Sequence, residues 1–461
     1  MRKVLSLVIA FVLILSTISA SANSAQSYFY GRDAMGAILT GESPIVVEHE
    51  ELTFQIPSFP REYYESFEEF MRYNSFVSAS YSFYNPSDYT VTAKLLFPFG
   101  AKPNYGYGGE LQEDTEKYGV LVNGERIEST LRHSFSRFGE FDLEKDLQKL
   151  HDDYIADSFY RPDLPVTEYS FRVNRLENDR ATAVFIVPAQ SDRTKVYFPM
   201  CCMSTINDDG TTELGAYVEK GDVLTVYAIG EAFTAPVTWS FIDPVDDNDQ
   251  DRSVSGTMEL TEAKTMTLYD FAMCCYEPGE VSEIDWYNAI VAELKETDED
   301  GSLYFDFNLD MEYSLLRWYE YELTLGHGEK LNNTVTAPMY PSIDLKYEPP
   351  VYTYQYLLSP AKTWTEFGTL TVRVNTPYAM VEPDSAFAKT EDGYTAEYDG
   401  LPEGELLFKL SEEEDPHRER NAYAFFFLKL IVLIVAIVAA PIVLIVFYFY
   451  RRKKRKDGNT L

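Results

Sequence analysis

Apolar and polar residues alternate with a period of two along much of this chain. That period belongs to half-buried strands, whose successive side chains point to opposite faces. Phe76-Val77-Ser78-Ala79-Ser80-Tyr81-Ser82-Phe83 alternates in this way. Asn85-Pro86-Ser87-Asp88 follows, a turn sequence in which Pro presets φ and Asn and Asp bond their own backbone. Tyr89 to Phe97 reads as a second strand, so the two are expected to form a hairpin. A further hairpin is expected where Tyr118–Val122 and Glu125–Thr130 flank Asn123-Gly124, the preferred type I′ pair. Strands are predicted again at Thr167–Val173, Ala181–Val187, Val223–Ile229, Val237–Phe241, Ser253–Leu260 and Thr265–Phe271, separated by frequent turns in the manner of a sandwich. Residues 303–410 are also strand-like, cut into short pieces by Pro338, Pro341, Pro349 and Pro350.

Helical spacing is scarcer. Arg61 to Tyr73 carries Tyr64, Phe67, Phe70 and Met71 near one face, and Phe141 to Ile155 carries Leu143, Leu147, Leu150 and Tyr154. Glu283 to Lys295 repeats Ile284, Tyr287, Ile290, Val291 and Leu294, and Ser282 with Asp285 supplies a capping box at its start.

The two ends carry apolar runs of another kind. Met1-Arg2-Lys3, the short apolar run Val4–Leu15 and Ala20-Ser21-Ala22 have the layout of a secretory signal peptide. Leu430 to Tyr450 is uninterrupted, and a helix of that length spans about 30 Å, the thickness of a bilayer's hydrocarbon core. Aromatic residues flank it, Lys429 stands where it can snorkel, and Pro441 would kink it in mid-span. Arg451, Arg452, Lys453, Lys454, Arg455 and Lys456 follow at once and orient the C-terminus toward the cytoplasm. The expected product is a single-pass cell-membrane protein with its N-terminus outside.

These patterns predict a mainly β fold of two or three β-sandwich-like domains with a few short helices, plus one C-terminal transmembrane helix. The expected segments are a signal peptide (1–22), an N-terminal β-rich domain (23–165), a β-sandwich-like domain (166–280) and a helix plus β-rich domain (281–412). A juxtamembrane linker (413–429), the transmembrane helix (430–450) and a basic tail (451–461) complete the chain.

Charge narrows the function. Between Asn23 and Leu428 there are 30 Lys and Arg against 73 Asp and Glu, a net of −43. Such a surface repels nucleic acid and anionic lipid and suits cationic partners. Membrane lipid is expected to touch only the single helix and its tail.

The run Val77–Gly100, with its N-P-S-D turn and F-P-F-G end, and then V-N-G-E at Val122–Glu125, resembles the opening of vault/inter-α-trypsin-type β-sandwich domains. It is similar also to uncharacterised domains of bacterial single-pass surface proteins. The resemblance covers about 50 residues and implies a sandwich, with no chemistry and no site residue.

Candidate chemistry is sparse. Four cysteines stand in two F-x-M-C-C repeats, Phe198 to Cys201-Cys202 and Phe271 to Cys274-Cys275, which suggests neighbouring segments. Disulfides between the pairs, buried free thiols and a metal or redox site are all open, although the C-x-x-C chelate spacing is missing. No cofactor is predicted. Calcium is the one ion the acidic runs suggest. Glu296-Thr297-Asp298-Glu299-Asp300-Gly301 matches the first half of an EF-hand loop, but position 12 is Phe307. Asp247, Asp249 and Asp251 alternate without the Gly. No G-x-S-x-G, H-E-x-x-H or phosphate-binding loop occurs, and the five His are scattered. The reading is a membrane-anchored extracellular β-sandwich binding protein for a protein or glycan ligand. An envelope glycan hydrolase with an unidentified carboxylate pair and an accessory subunit of a membrane complex are its alternatives.

Overall fold

The computed structural model describes residues 28–29, 34–40, 43–60, 75–101, 103, 118–136, 141–187, 193–199, 202–207, 211–233, 237–242, 253–299, 314–384 and 386–418. The expected signal peptide, the expected helix at 61–73, the expected membrane span with Lys429 and Pro441, and the basic residues Arg451–Lys456 lie outside them. Among the described residues no helix is long and apolar enough to cross a membrane.

The chain is mainly β. An eight-stranded sheet has at its centre Phe367–Asn375, Val46–Gln55, Phe76–Tyr84 and Lys330–Pro338, in that order. It shares one apolar core with two smaller sheets. One of these carries Val351–Leu357 and Leu406–Ser411, the other Val91–Pro98, Leu315–Leu325 and Thr130–Phe135. The last sheet is covered on both faces. Its far side meets Leu143, Leu147 and Leu150 around Trp318 and Leu96. Double burial is why Leu95-Leu96-Phe97 is a continuous apolar run rather than an alternation.

The strands at 76–84 and 91–98 are where the alternation put them, but they do not pair with each other. Phe76–Tyr84 pairs with Lys330–Pro338, and Val91–Pro98 pairs with Leu315–Leu325. The N-P-S-D segment is therefore an arch that carries the chain from one sheet to the other. Residues 315–338 form a second arch beside it. Asn85 locks the two bends together. Its side-chain amide donates to the carbonyls of Tyr89, Leu325 and Gly326 at 2.8, 3.1 and 3.0 Å. Its Oδ1 accepts from the Ser87 N–H and hydroxyl, and its backbone bonds Glu329 and Gly328. The hairpin at Asn123-Gly124 forms as expected, with positive φ at both residues.

The segments also group differently from the expected division. Strands after residue 314 pair with strands before 136, so both belong to one sandwich. Residues 136–314 leave and return on neighbouring strands, where Leu315 faces Phe135 and the Ser136 N–H donates to the Ser314 carbonyl at 2.8 Å. Alternation reveals strands but not their partners, so this insertion had no signature in the sequence.

The inserted segment is itself a sandwich of two four-stranded sheets. Pro165–Leu176 pairs with Val223–Gly230 in one, and Arg180–Val187 pairs with Thr212–Glu219 in the other. Its inner faces contribute Val173, Phe185, Phe198, Leu214 and Val226. Three of its strands, Thr194–Tyr197, Met203–Ile206 and Thr212–Glu219, escaped the sequence reading. The two strands expected at 253–260 and 265–271 are one long strand, Gly256–Thr267, followed by the helix Leu268–Ala272. A capping box between Thr267 and Asp270 makes that switch. Helix Glu283–Glu299 buries Tyr287, Ile290, Val291 and Leu294 against Phe135, Leu315 and the sheet residues Val166 and Ile229. The helix expected over 141–155 stops after Leu143–Leu147. Beyond it, the backbone is claimed by Asn288, whose amide bonds the Ile155 N–H at 2.7 Å and the Asp153 carbonyl at 3.0 Å.

Inside the large sandwich sits a carboxyl group. A β-bulge between Val47 and His49 shifts the phase of the Val46–Gln55 strand, so Glu50 points inward with Leu52 and Phe54. Gly368 accommodates the bulge, because a Cβ there would lie 2.0 Å from the Glu48 carbonyl oxygen. Glu50 is fully buried and accepts from the Tyr356 hydroxyl at 3.4 Å; Tyr356 in turn meets the Tyr81 hydroxyl at 3.3 Å. Burial pushes the Glu50 carboxyl up to about 7, while hydrogen bonds from Tyr81 and Tyr356 pull the other way.

Two outcomes are expected. Asn85→Ala removes the amide donor from the buried Leu325 carbonyl and the part-buried carbonyls of Tyr89 and Gly326 and should cost about 2 kcal/mol in denaturant unfolding. Glu50 keeps its proton up to about pH 7 when folded and releases it near 4.5 when unfolded. The folded state binds more protons between those values, so stability falls as pH rises through that window, by on the order of 3 kcal/mol. Glu50→Gln should flatten this dependence in unfolding curves taken at pH 5 and pH 8.

Candidate binding groove beside a buried ion-pair network

The strand Thr130–Phe135 carries the junction. Its sequence, Thr-Leu-Arg-His-Ser-Phe, puts a cation at its centre, and the Arg132 side chain is 9% exposed. Arg132 Nε donates to both carboxylate oxygens of Asp285, at 3.2 and 3.3 Å, and Nη2 donates to Asp285 Oδ1 at 3.1 Å. Nη1 reaches Asp152 at 3.0 Å and Glu320 at 2.9 Å, and Nη2 reaches the His151 carbonyl at 2.7 Å. The His133 N–H adds a bond of 2.9 Å to Asp285. Burial disfavours the charge on Arg132, but Asp285, Glu320 and Asp152 outweigh it and hold the guanidinium above its ordinary value.

Each partner comes from a different element. Asp285 lies in the first turn of helix Glu283–Glu299, whose start is capped by Ser282 Oγ accepting from the Asp285 N–H at 3.0 Å. The expected capping box is thus present in its first half, while the Asp285 carboxylate goes to Arg132. Glu320 stands on Leu315–Leu325 and Asp152 on the loop after the short helix. Lys94, from Val91–Pro98, meets Glu320 at 3.0 Å and Asp152 at 3.9 Å. Lys149 makes a second tie, to Asp146 at 3.2 Å and Glu296 at 2.8 Å.

Two depressions open beside this cluster. A groove of about 470 Å³ is bounded by Glu128, Glu320, Glu322 and Lys94 over apolar Val122, Ile127 and Leu331. A smaller one, about 350 Å³, is walled by residues 151–157 and Lys295. In it Lys295 pairs with Asp157 at 2.6 Å. Burial works against the Asp157 charge, but Lys295 and the N–H groups of Phe159 and Tyr160 hold its carboxyl below the usual range. Glu320 and Asp152 both accept from the same Arg132 nitrogen. With Lys94 they form an ion-pair network.

The residues singled out in the sequence fall elsewhere. Cys202, Cys274 and Cys275 are free thiols. Cys202 joins the far sheet of the inserted sandwich, its N–H bonding the Gly215 carbonyl at 2.7 Å. Cys274 and Cys275 stand in a 3-10 turn beside Tyr227 and Glu168 of the near sheet. Cys201 lies outside the described residues, as do Asp247, Asp249, Asp251 and Asp300. The proposed EF-hand loop begins inside a helix, since 296–299 are the last turn of Glu283–Glu299, which also holds the Asp298 backbone. Among the described residues no group of three or more His, Cys, Asp or Glu forms a metal site. Tyr81, Tyr197, Tyr287, Tyr354 and Tyr356 are fully buried in the core.

The sequence reading missed Arg132. Its one signal was a cation next to His133 in a segment that ends in the apolar pair-forming strand; its acidic partners are up to 188 residues away.

No protein-family model matches this chain, and no curated protein does. Among solved structures, one from Legionella pneumophila described as a "putative nutrient binding protein" is similar at a TM-score of 0.31 and 10% identity. The match covers 84% of this chain and 72% of that one.

Replacing Arg132 with Met strands Asp285 without its cation in the interior and should cost roughly 3–5 kcal/mol. The double variant Arg132→Met/Asp285→Leu should recover part of that loss, which a double-mutant cycle of unfolding free energies would measure.

Proposed function

We propose that this chain is a membrane-anchored extracellular binding protein that holds a cationic segment of a partner protein in the 470 Å³ groove. The observation that carries this reading is the groove's wall, three glutamates and one lysine over an apolar floor. Glutamates attract a basic side chain, and the floor accepts the apolar stem of a Lys or Arg or a neighbouring apolar residue. The charge of the whole segment outside the membrane, near −43, steers such partners toward it. The signal peptide at 1–22 would export the protein, Leu430–Tyr450 would anchor it, and the cations Arg451–Lys456 would remain inside. The groove is lined by the large sandwich, and its Glu320 shares Arg132 with Asp285 and Asp152 of the insertion.

The test is co-purification of the full chain from its native membrane in mild detergent, with and without Glu128→Lys/Glu322→Lys. A stoichiometric partner that disappears with the double variant, while the unfolding midpoint is kept, is expected. Binding of that partner's basic segment should weaken at least about tenfold on the charge reversals and fall with added salt. A partner that stays bound to the variant places recognition on another surface.

A further inference from the structure

The two F-x-M-C-C repeats invite bridges between them, yet the closest sulfur contact among the described residues is within one pair. Cys274 Sγ and Cys275 Sγ lie 3.4 Å apart. They occupy the 3-10 turn Met273–Cys275, with Cys274 exposed and Cys275 partly so.

The turn is held from both sides. Before it, the Thr267–Asp270 capping box fixes the start of helix Leu268–Ala272, and the Trp286 indole N–H donates to the Ala272 carbonyl at 2.8 Å. After it, the Tyr276 N–H bonds the Met273 carbonyl at 3.2 Å, and the Tyr276 hydroxyl donates to the Val281 carbonyl at 3.1 Å. The two thiols are therefore presented together at the surface. The opposite candidate, Cys202, is carried by the other sheet of the sandwich.

We propose that Cys274 and Cys275 are a reversible vicinal dithiol–disulfide couple, a redox modification site distinct from the binding groove. Oxidation forms one Sγ–Sγ bond and closes an eight-membered ring. The two thiol hydrogens, with their two electrons, pass to a low-molecular-weight disulfide, which is reduced to two thiols. The sulfurs need to close from 3.4 Å to about 2.05 Å. Adjacent Cα atoms are about 3.8 Å apart, closer than the roughly 4.4–6.8 Å that an unstrained disulfide prefers. Such a ring is strained and exposed, and a bond of that kind is readily reduced rather than a permanent staple. Burial of its sulfur, the neighbouring Cys275 and Glu168 push the Cys274 thiol up to about 12; the thiolate is the attacking species, so the exchange speeds up as pH rises.

The experiment uses the full chain. It is treated with oxidised glutathione, denatured, alkylated with iodoacetamide and digested, and the peptide containing both residues is weighed. The expected peptide is lighter than its reduced form by two hydrogens and carries no alkyl group. A mild dithiol reductant should return it to the doubly alkylated form. Cys275→Ser should instead accumulate a stable mixed disulfide with glutathione at Cys274. Phenylarsine oxide should consume both thiols of the reduced wild-type protein per arsenic bound. The proposal is overturned if both cysteines alkylate after oxidation, if the peptide is linked to Cys201 or Cys202, or if the wild-type protein also stops at the mixed disulfide.

Discussion

A single guanidinium holds the two halves of this molecule in register. Arg132 stands on a strand of the large sandwich, and its principal partner, Asp285, stands on a helix of the insertion. An ion pair so deeply buried is expensive to desolvate and is tolerated only when every donor finds an acceptor. Arg132 meets that condition with Asp285, Asp152, Glu320 and the His151 carbonyl. The same bonds fix the loop at 151–157, the strand that carries Glu320 and, through Lys94, the wall of the groove. The groove's shape therefore follows from the pairing of one buried cation.

The insertion works because it begins and ends on paired strands. Phe135 and Leu315 face each other, so 179 residues can intervene without opening the sheet on either side. The large sandwich must then be completed by segments far apart in the chain. The arches at 76–98 and 315–338 do this, and Asn85 joins their bends with bonds that reach 241 positions along the sequence. An amide suits that place, since it donates twice and accepts twice where water is excluded.

Polar chemistry in the core is concentrated where regularity breaks. The bulge before His49 turns Glu50 inward, and the chain answers with tyrosine hydroxyls from both sheets. The carboxyl that results is protonated through mildly acidic conditions and charged at a cost above them. The surface features are of another kind, a cation-paired acidic groove on the large sandwich and a pair of touching thiols on the insertion.

Much of the local structure was legible in the residues themselves. Period-two alternation placed the strands at 76–84, 180–187 and 223–230, because a half-buried strand has no other way to sort its side chains. Asn123-Gly124 fixed its turn through the positive φ that both positions require, and Ser282 marked the start of its helix. Partners were another matter. The N-P-S-D segment looks the same in a hairpin and in an arch, since the turn's own bonds are local and the choice is made by Lys330–Pro338 lying alongside. Thr267–Asp270 ended a strand that β-propensity would have continued. Arg132 and Glu50 became special through neighbours more than 100 residues away, which no window along the chain contains. The sequence by itself determined where strands, turns and the acidic surface lie, because those depend on nearest neighbours and composition. Only the tertiary structure decided which strands pair, where the insertion sits and which carboxylates are neutralised, because those depend on contacts made after the chain has closed on itself.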